Sequence, residues 1–97
     1  MELKIQTLHF DATDKLASFI EKKMEKLEKK YTAIVRAEVT LKVVKPETAM
    51  NKETQIHVVV AGKEFHAEKV CDTFEEGVDA CVEVLERSLQ KHKETHK

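Results

Sequence analysis

Lys22, Lys23, Lys26, Lys29 and Lys30 crowd one short stretch of the chain, and Arg87, Lys91 and Lys93 crowd another near its end. Lys22, Lys26 and Lys30 step by four, as do Arg87 and Lys91, so on a helix each set lines one side. Several cations on one rigid surface are what a phosphate backbone requires, because each displaces condensed counterions. Arginine adds a planar fork that can hold a phosphate through two N–H groups. The same residues also have a plainer use. Glu21, Glu25 and Glu28 interleave with the lysines, and Glu83 stands four residues before Arg87, a spacing that makes ordinary intrahelical pairs. The second run is acidic at its start (Asp72, Glu75, Glu76, Asp79) and basic at its end, which suits a helix dipole. Charge counting by itself favours a solvated face over RNA binding. The deciding fact is whether the two basic segments lie side by side.

Other chemistry is sparse. No Gly-rich phosphate loop and no nucleophile elbow occurs, and no local pattern ties a cysteine to a histidine as nucleophile and base. The expectation is a binding protein and not an enzyme, with no cofactor and no small-molecule substrate. His57 and His66 are the one pair placed to share a metal ion, with Gln55, Glu64 and Glu68 beside them. A stable zinc site asks for more ligands than two, so these are read as surface histidines and no metal is expected. Cys71 and Cys81 lack CxxC spacing and read as small buried thiols in a reducing compartment.

These residues need elements to hold them. At 97 residues the chain fits one domain, 1–97, with a modest core. Hydrophobic residues at 41% and charged residues at 36% make it globular and not disordered. Seventeen basic and eighteen acidic residues leave a net charge of -1, so only the distribution of charge can point to a polyanion. The first residues are not a basic segment followed by an apolar run, and no apolar run approaches a membrane span. A cytoplasmic protein with no membrane partner is expected.

Leu3 and Ile5 alternate with Lys4 and Gln6, which predicts a half-buried strand. Asp11 or Thr13 can cap the helix that follows, whose apolar face is Leu16, Phe19, Ile20, Met24, Leu27 and Tyr31. Val35, Ala37, Val39, Leu41 and Val43 alternate with polar residues, predicting a long strand with those five on its buried face. Pro46 should end it, with a polar loop over 46–52. Further strands are predicted over 55–60 and 63–69, joined by a tight turn at Ala61 and Gly62. That turn would set Val58 opposite Phe65, Ile56 opposite Ala67 and His57 opposite His66. Asp72, with Glu75 three residues on, is the expected cap of the last helix, whose stripe is Phe74, Val78, Cys81, Val82, Leu85 and Leu89. The predicted class is α+β in the order β-α-β-β-β-α. Two helices cover one face of a four-stranded sheet, strands two to four form an antiparallel meander, and the first strand joins at an edge in either direction.

The ordered motifs resemble a known family. The opening "MELKIQTLHFDATDKLASFIEKKMEKLEKKY", with its K-x-x-K-L-E-K run ending in an aromatic, is similar to the short ribosome hibernation-promoting factors, also called protein Y or sigma-54 modulation protein. The likeness continues in "VTLKVVK" and "FHAEK" and closes in "LERSLQKHK", covering nearly the whole chain. The chain departs from the common pattern at Val84, where many members carry lysine, and at Ser88, where glutamine is common. The resemblance implies a fold similar to double-stranded RNA-binding domains. It implies a non-enzymatic inhibitor that binds the small ribosomal subunit and its ribosomal RNA near the decoding region, sterically blocking messenger and transfer RNA. By position it assigns RNA contact to Lys22, Lys23, Lys26, Lys29, Lys30, Arg87, Lys91 and Lys93. It also implies that a C-terminal dimerisation domain is not part of this chain, so that a separate ribosome modulation factor could act beside it. The rival is a protein-interaction module regulating a transcription factor, as the older family name suggests. It would use the exposed sheet face or the acidic start of the last helix.

Overall fold

The computed structural model describes residues 1–8, 10–44 and 51–95. The elements run β1 (Glu2–Leu8), α1 (Asp14–Lys30), β2 (Ile34–Val43), β3 (Lys52–Val60), β4 (Lys63–Cys71) and α2 (Phe74–Thr95). Alternation builds the sheet and three-four spacing builds the helices, so each element has one apolar side to hide. Ala37, Val39 and Leu41 of β2, with Ile56, Val58 and Val60 of β3, turn inward and are buried. Ile20, Met24, Leu27 and Tyr31 of α1 and Val78, Cys81, Leu85 and Leu89 of α2 close over them as one core.

The strands lie in the order β1-β2-β3-β4. β1 runs parallel to β2, an arrangement that needs a crossover connection, and α1 supplies it. The other neighbours are antiparallel, with Val58 opposite Phe65, Ile56 opposite Ala67 and His57 opposite His66 as expected. Gly62 sits in the hairpin turn at φ 78, a backbone angle that a side chain disfavours. Of the two possible caps for α1, Thr13 is the one used. Its hydroxyl accepts from the Leu16 amide at 3.1 Å.

The structure differs from the sequence expectations at the start of β2, along the β3–β4 ladder and at the cap of α2. Val35 is 59% exposed, and Ile34 takes the inward place beside Ala37. The register slips between Ile34 and Arg36, where a bulge adds one residue and reverses the alternation behind it. β3 starts at Lys52 and β4 runs on to Cys71, because Lys52 pairs with Cys71, Glu53 with Val70 and Thr54 with Lys69. Polar side chains conceal that ladder, which depends on backbone groups. The cap of α2 is Thr73 and not Asp72: the Thr73 hydroxyl accepts from the Glu76 amide at 3.1 Å. The expected end of β2 at Pro46 lies outside the described residues, as does the 46–50 part of the expected loop.

Thr54 and Cys81 show how closely α2 sits on the sheet. The Cys81 thiol donates to the Thr54 carbonyl at 3.5 Å, and both residues are fully buried. Burial, with the neighbouring Cys71 second, pushes the Cys81 thiol up from 9.0 to about 11. A raised pKa means that the fold favours the protonated form. Its contribution is complete below about pH 9 and is lost as pH climbs through 11. The expected loss is about 2 to 3 kcal/mol. Denaturant melts at pH 8 and pH 11, compared with a Cys81→Ala chain, isolate it. Equal pH dependence in the two chains would refute the assignment.

Candidate nucleic-acid interface

α1 and α2 pack side by side on the same sheet face and in the same direction. Lys23 meets Asp79 at 2.8 Å and Lys30 meets Glu86 at 3.8 Å, a seven-residue step along both helices. The Tyr31 hydroxyl, at the end of α1, reaches the Gln90 Oε1 at 3.2 Å and the Glu86 carbonyl at 3.3 Å. Tyr31 is itself buried, so this contact pins the last turn of α1 to the second half of α2. The two basic segments are therefore adjacent, which is the condition that charge counting left open.

The lysines and glutamates of α1 interleave in sequence but separate in space. At 100° per residue the five lysines fall within a sector of roughly 120° on the flank toward α2. Glu21, Glu25 and Glu28 fall on the opposite flank. Glu28 pairs there with the terminal amine of Met1. The helical rotation is readable from the sequence; which flank meets α2 is not. Lys22, Lys26 and Lys29 make no ion pair among the described residues.

Across the seam, Lys30, Arg87 and Lys91 line a groove of about 470 Å³ together with Tyr31, Glu83, Glu86 and Gln90. Arg87 holds Glu83 at 2.8 Å, with both side chains about 70% exposed (73% and 68%). Exposed pairs of this kind contribute about 0–1 kcal/mol, so a phosphate that releases counterions can displace them. The acidic residues Asp79 and Glu83 occupy the earlier turns of α2, and Arg87 and Lys91 the later ones. The groove is thus most positive toward the C-terminal ends of the helices. Lys23, held by Asp79, and Lys22 lie nearer its acidic end. Lys93 is not in this groove. It borders a second hollow beyond Tyr31, with Lys30 and His92.

The opposite sheet face is polar. Lys4, Glu38, His57 and His66 form one row across the four strands. The two imidazoles are 6.1 Å apart between ring centres, and His57 Nε2 lies 3.6 Å from Glu64 Oε1. Among the described residues no group of three histidine, cysteine or acidic side chains is arranged to hold a metal. Nor is any described helix long and apolar enough to cross a membrane.

A four-stranded sheet with both helices on one face, and cations gathered along their seam, defines a small α+β domain of β-α-β-β-β-α order. The chain belongs to the sigma 54 modulation protein / S30EA ribosomal protein family, matching it over residues 3–97. It is 30% identical over 94 residues to the ribosome hibernation promoting factor of Azotobacter vinelandii, covering 97% of this chain and 84% of that protein. The protein of the same name from Pseudomonas putida KT2440 is 26% identical, with 97% and 88% covered. Two solved structures share the fold. A ribosomal subunit interface protein from Coxiella burnetii superposes with a TM-score of 0.83 at 20% identity, covering 96% and 98% of the two chains. The N-terminal domain of Thermus thermophilus protein Y gives 0.80 at 21% identity, covering 95% and 99%.

Proposed function

We propose that this protein silences idle ribosomes in the cytoplasm by binding ribosomal RNA of the small subunit through the seam between α1 and α2. The observation that carries this reading is spatial. The lysine flank of α1 faces α2, so Lys30 shares a single groove with Arg87 and Lys91, and Lys26 and Lys29 lie on the same helix flank outside it. The names of the family's ribosome hibernation members agree with it. Lys22, Lys23 and Lys93 extend the same surface along and beyond the groove.

The mechanism involves no bond making. The helices present cations that replace counterions on the phosphates, and the body of the domain then fills space that messenger and transfer RNA need near the decoding region. Rigidity matters here. Tyr31 and the buried leucines Leu85 and Leu89 hold the two cationic segments in place before binding, so little ordering entropy is lost on contact.

Co-sedimentation with isolated small subunits across a salt series tests this. About five phosphate contacts predict a slope of log affinity against log salt of roughly −3 to −5, with saturation at one copy per subunit. A nearly flat salt dependence would point instead to a protein partner on the polar sheet face, and absence of binding at low salt would remove the proposal.

A further inference from the structure

The second hollow lies at the end of the sheet where α1 turns into β2. It measures about 200 Å³, below the roughly 300–1,000 Å³ of pockets that hold cofactors or drug-sized ligands. Its floor is apolar: Val60 and Leu89 are each only 2% exposed. The His92 imidazole forms a wall, its plane set by a T-shaped contact with Phe65 at 5.5 Å. Ala33 forms part of the exposed lip. Lys30 and Lys93 stand on the rim, and Lys30 and Tyr31 also line the inter-helix groove. The groove therefore adjoins the hollow, with Lys30 and Tyr31 common to both.

We propose that this hollow takes one unstacked nucleobase of the bound RNA, with the phosphates on either side of it held by Lys30 and Lys93. The inference rests on the RNA-binding reading above. A base has apolar faces for Val60, Leu89 and the imidazole, and it comes with anionic neighbours for the two lysines. A free phosphate would leave the apolar floor unused, and an aliphatic side chain would leave the lysines unused. Bases inside a continuous duplex are stacked and cannot enter. The hollow thus selects RNA with a bulged or looped-out nucleotide, whereas the groove alone recognises charge.

Fluorescence anisotropy with two hairpin RNAs of equal length and charge tests this directly. One carries a single bulged nucleotide and the other is abasic at that position. The intact protein should bind the first about tenfold more tightly. Ala33→Leu places an apolar side chain at the exposed lip and should erase that difference while leaving the affinity for abasic RNA unchanged. Methyl NMR of the unaltered protein gives a second readout: Val60 and Leu89 signals should shift with the bulged RNA and not with the abasic one. Equal affinities, a difference that survives Ala33→Leu, or unmoved methyl signals would each overturn the hollow's role while leaving the RNA reading intact. Failure to bind either RNA at low salt would overturn both.

Discussion

Glutamate at both Arg87 and Lys91 is expected to weaken binding to small ribosomal subunits by on the order of 10²–10³-fold while the domain stays folded. Each cation contributes a charge-assisted hydrogen bond of roughly 1.5–2 kcal/mol, so removing two amounts to about 3–4 kcal/mol. The cost to the fold is small. Arg87 is 73% exposed and pairs with Glu83 on its own helix, an interaction contributing about 0.3–0.5 kcal/mol. The salt slope should fall by about two, one for each phosphate no longer held. Lys4→Glu, on the opposite sheet face, changes net charge without touching the seam and should leave affinity nearly unchanged. Circular dichroism checks the fold, and co-sedimentation gives the affinity. A folded double variant that still binds with full affinity would show that the seam is not the contact surface.

Gly77→Ala is expected to destabilise the domain by about 2 kcal/mol, lowering Tm by roughly 10 °C. Helix propensity argues the other way, since alanine is better than glycine by about 1 kcal/mol inside a helix. Packing overrides it. A Cβ at position 77 would stand 2.3 Å from the Thr54 hydroxyl oxygen and 3.0 Å from the Thr54 Cβ. Thr54 is fully buried on β3 and has little room to move. The close approach of α2 to the sheet therefore depends on glycine at this position. Thr54→Ala should recover part of the loss in the double variant, because the hydroxyl disappears while the 3.0 Å approach remains. A coupling above about 1 kcal/mol in the double-mutant cycle would establish the contact. Thermal melts of the four chains measure it, and a Gly77→Ala chain as stable as the parent would disprove it. Lifting α2 would also shift Arg87 and Lys91 relative to Lys30, so ribosome affinity should fall along with stability.

Much of this architecture is legible in the sequence. The apolar stripe of α1, the hairpin at Ala61 and Gly62, and the pairing of His57 with His66 all follow from local periodicity and turn chemistry. The differences arise where backbone or tertiary contacts prevail over pattern. Alternation points Val35 inward, and the bulge turns it out. Thr54 lies between the expected loop over 46–52 and the expected strand over 55–60, yet the ladder to Lys69 makes it part of β3 and places it beneath Gly77. Asp72 and Thr73 are both good caps, and chain direction after β4 selects the second.

The candidate site divides along the same line. The sequence by itself determined which residues are cationic, that they sit on two amphipathic helices, and which face of each helix is apolar. These properties depend on side chains a few residues apart on one element. Only the tertiary structure decided that the lysine flank of α1 faces α2, that the helices run in the same direction, and that Tyr31 separates a cationic groove from an apolar hollow. Those facts come from packing between residues more than fifty positions apart, such as Tyr31 with Glu86 and Gln90. Hydrophobic burial is non-directional: it requires each stripe to be covered but does not specify what stands beside it.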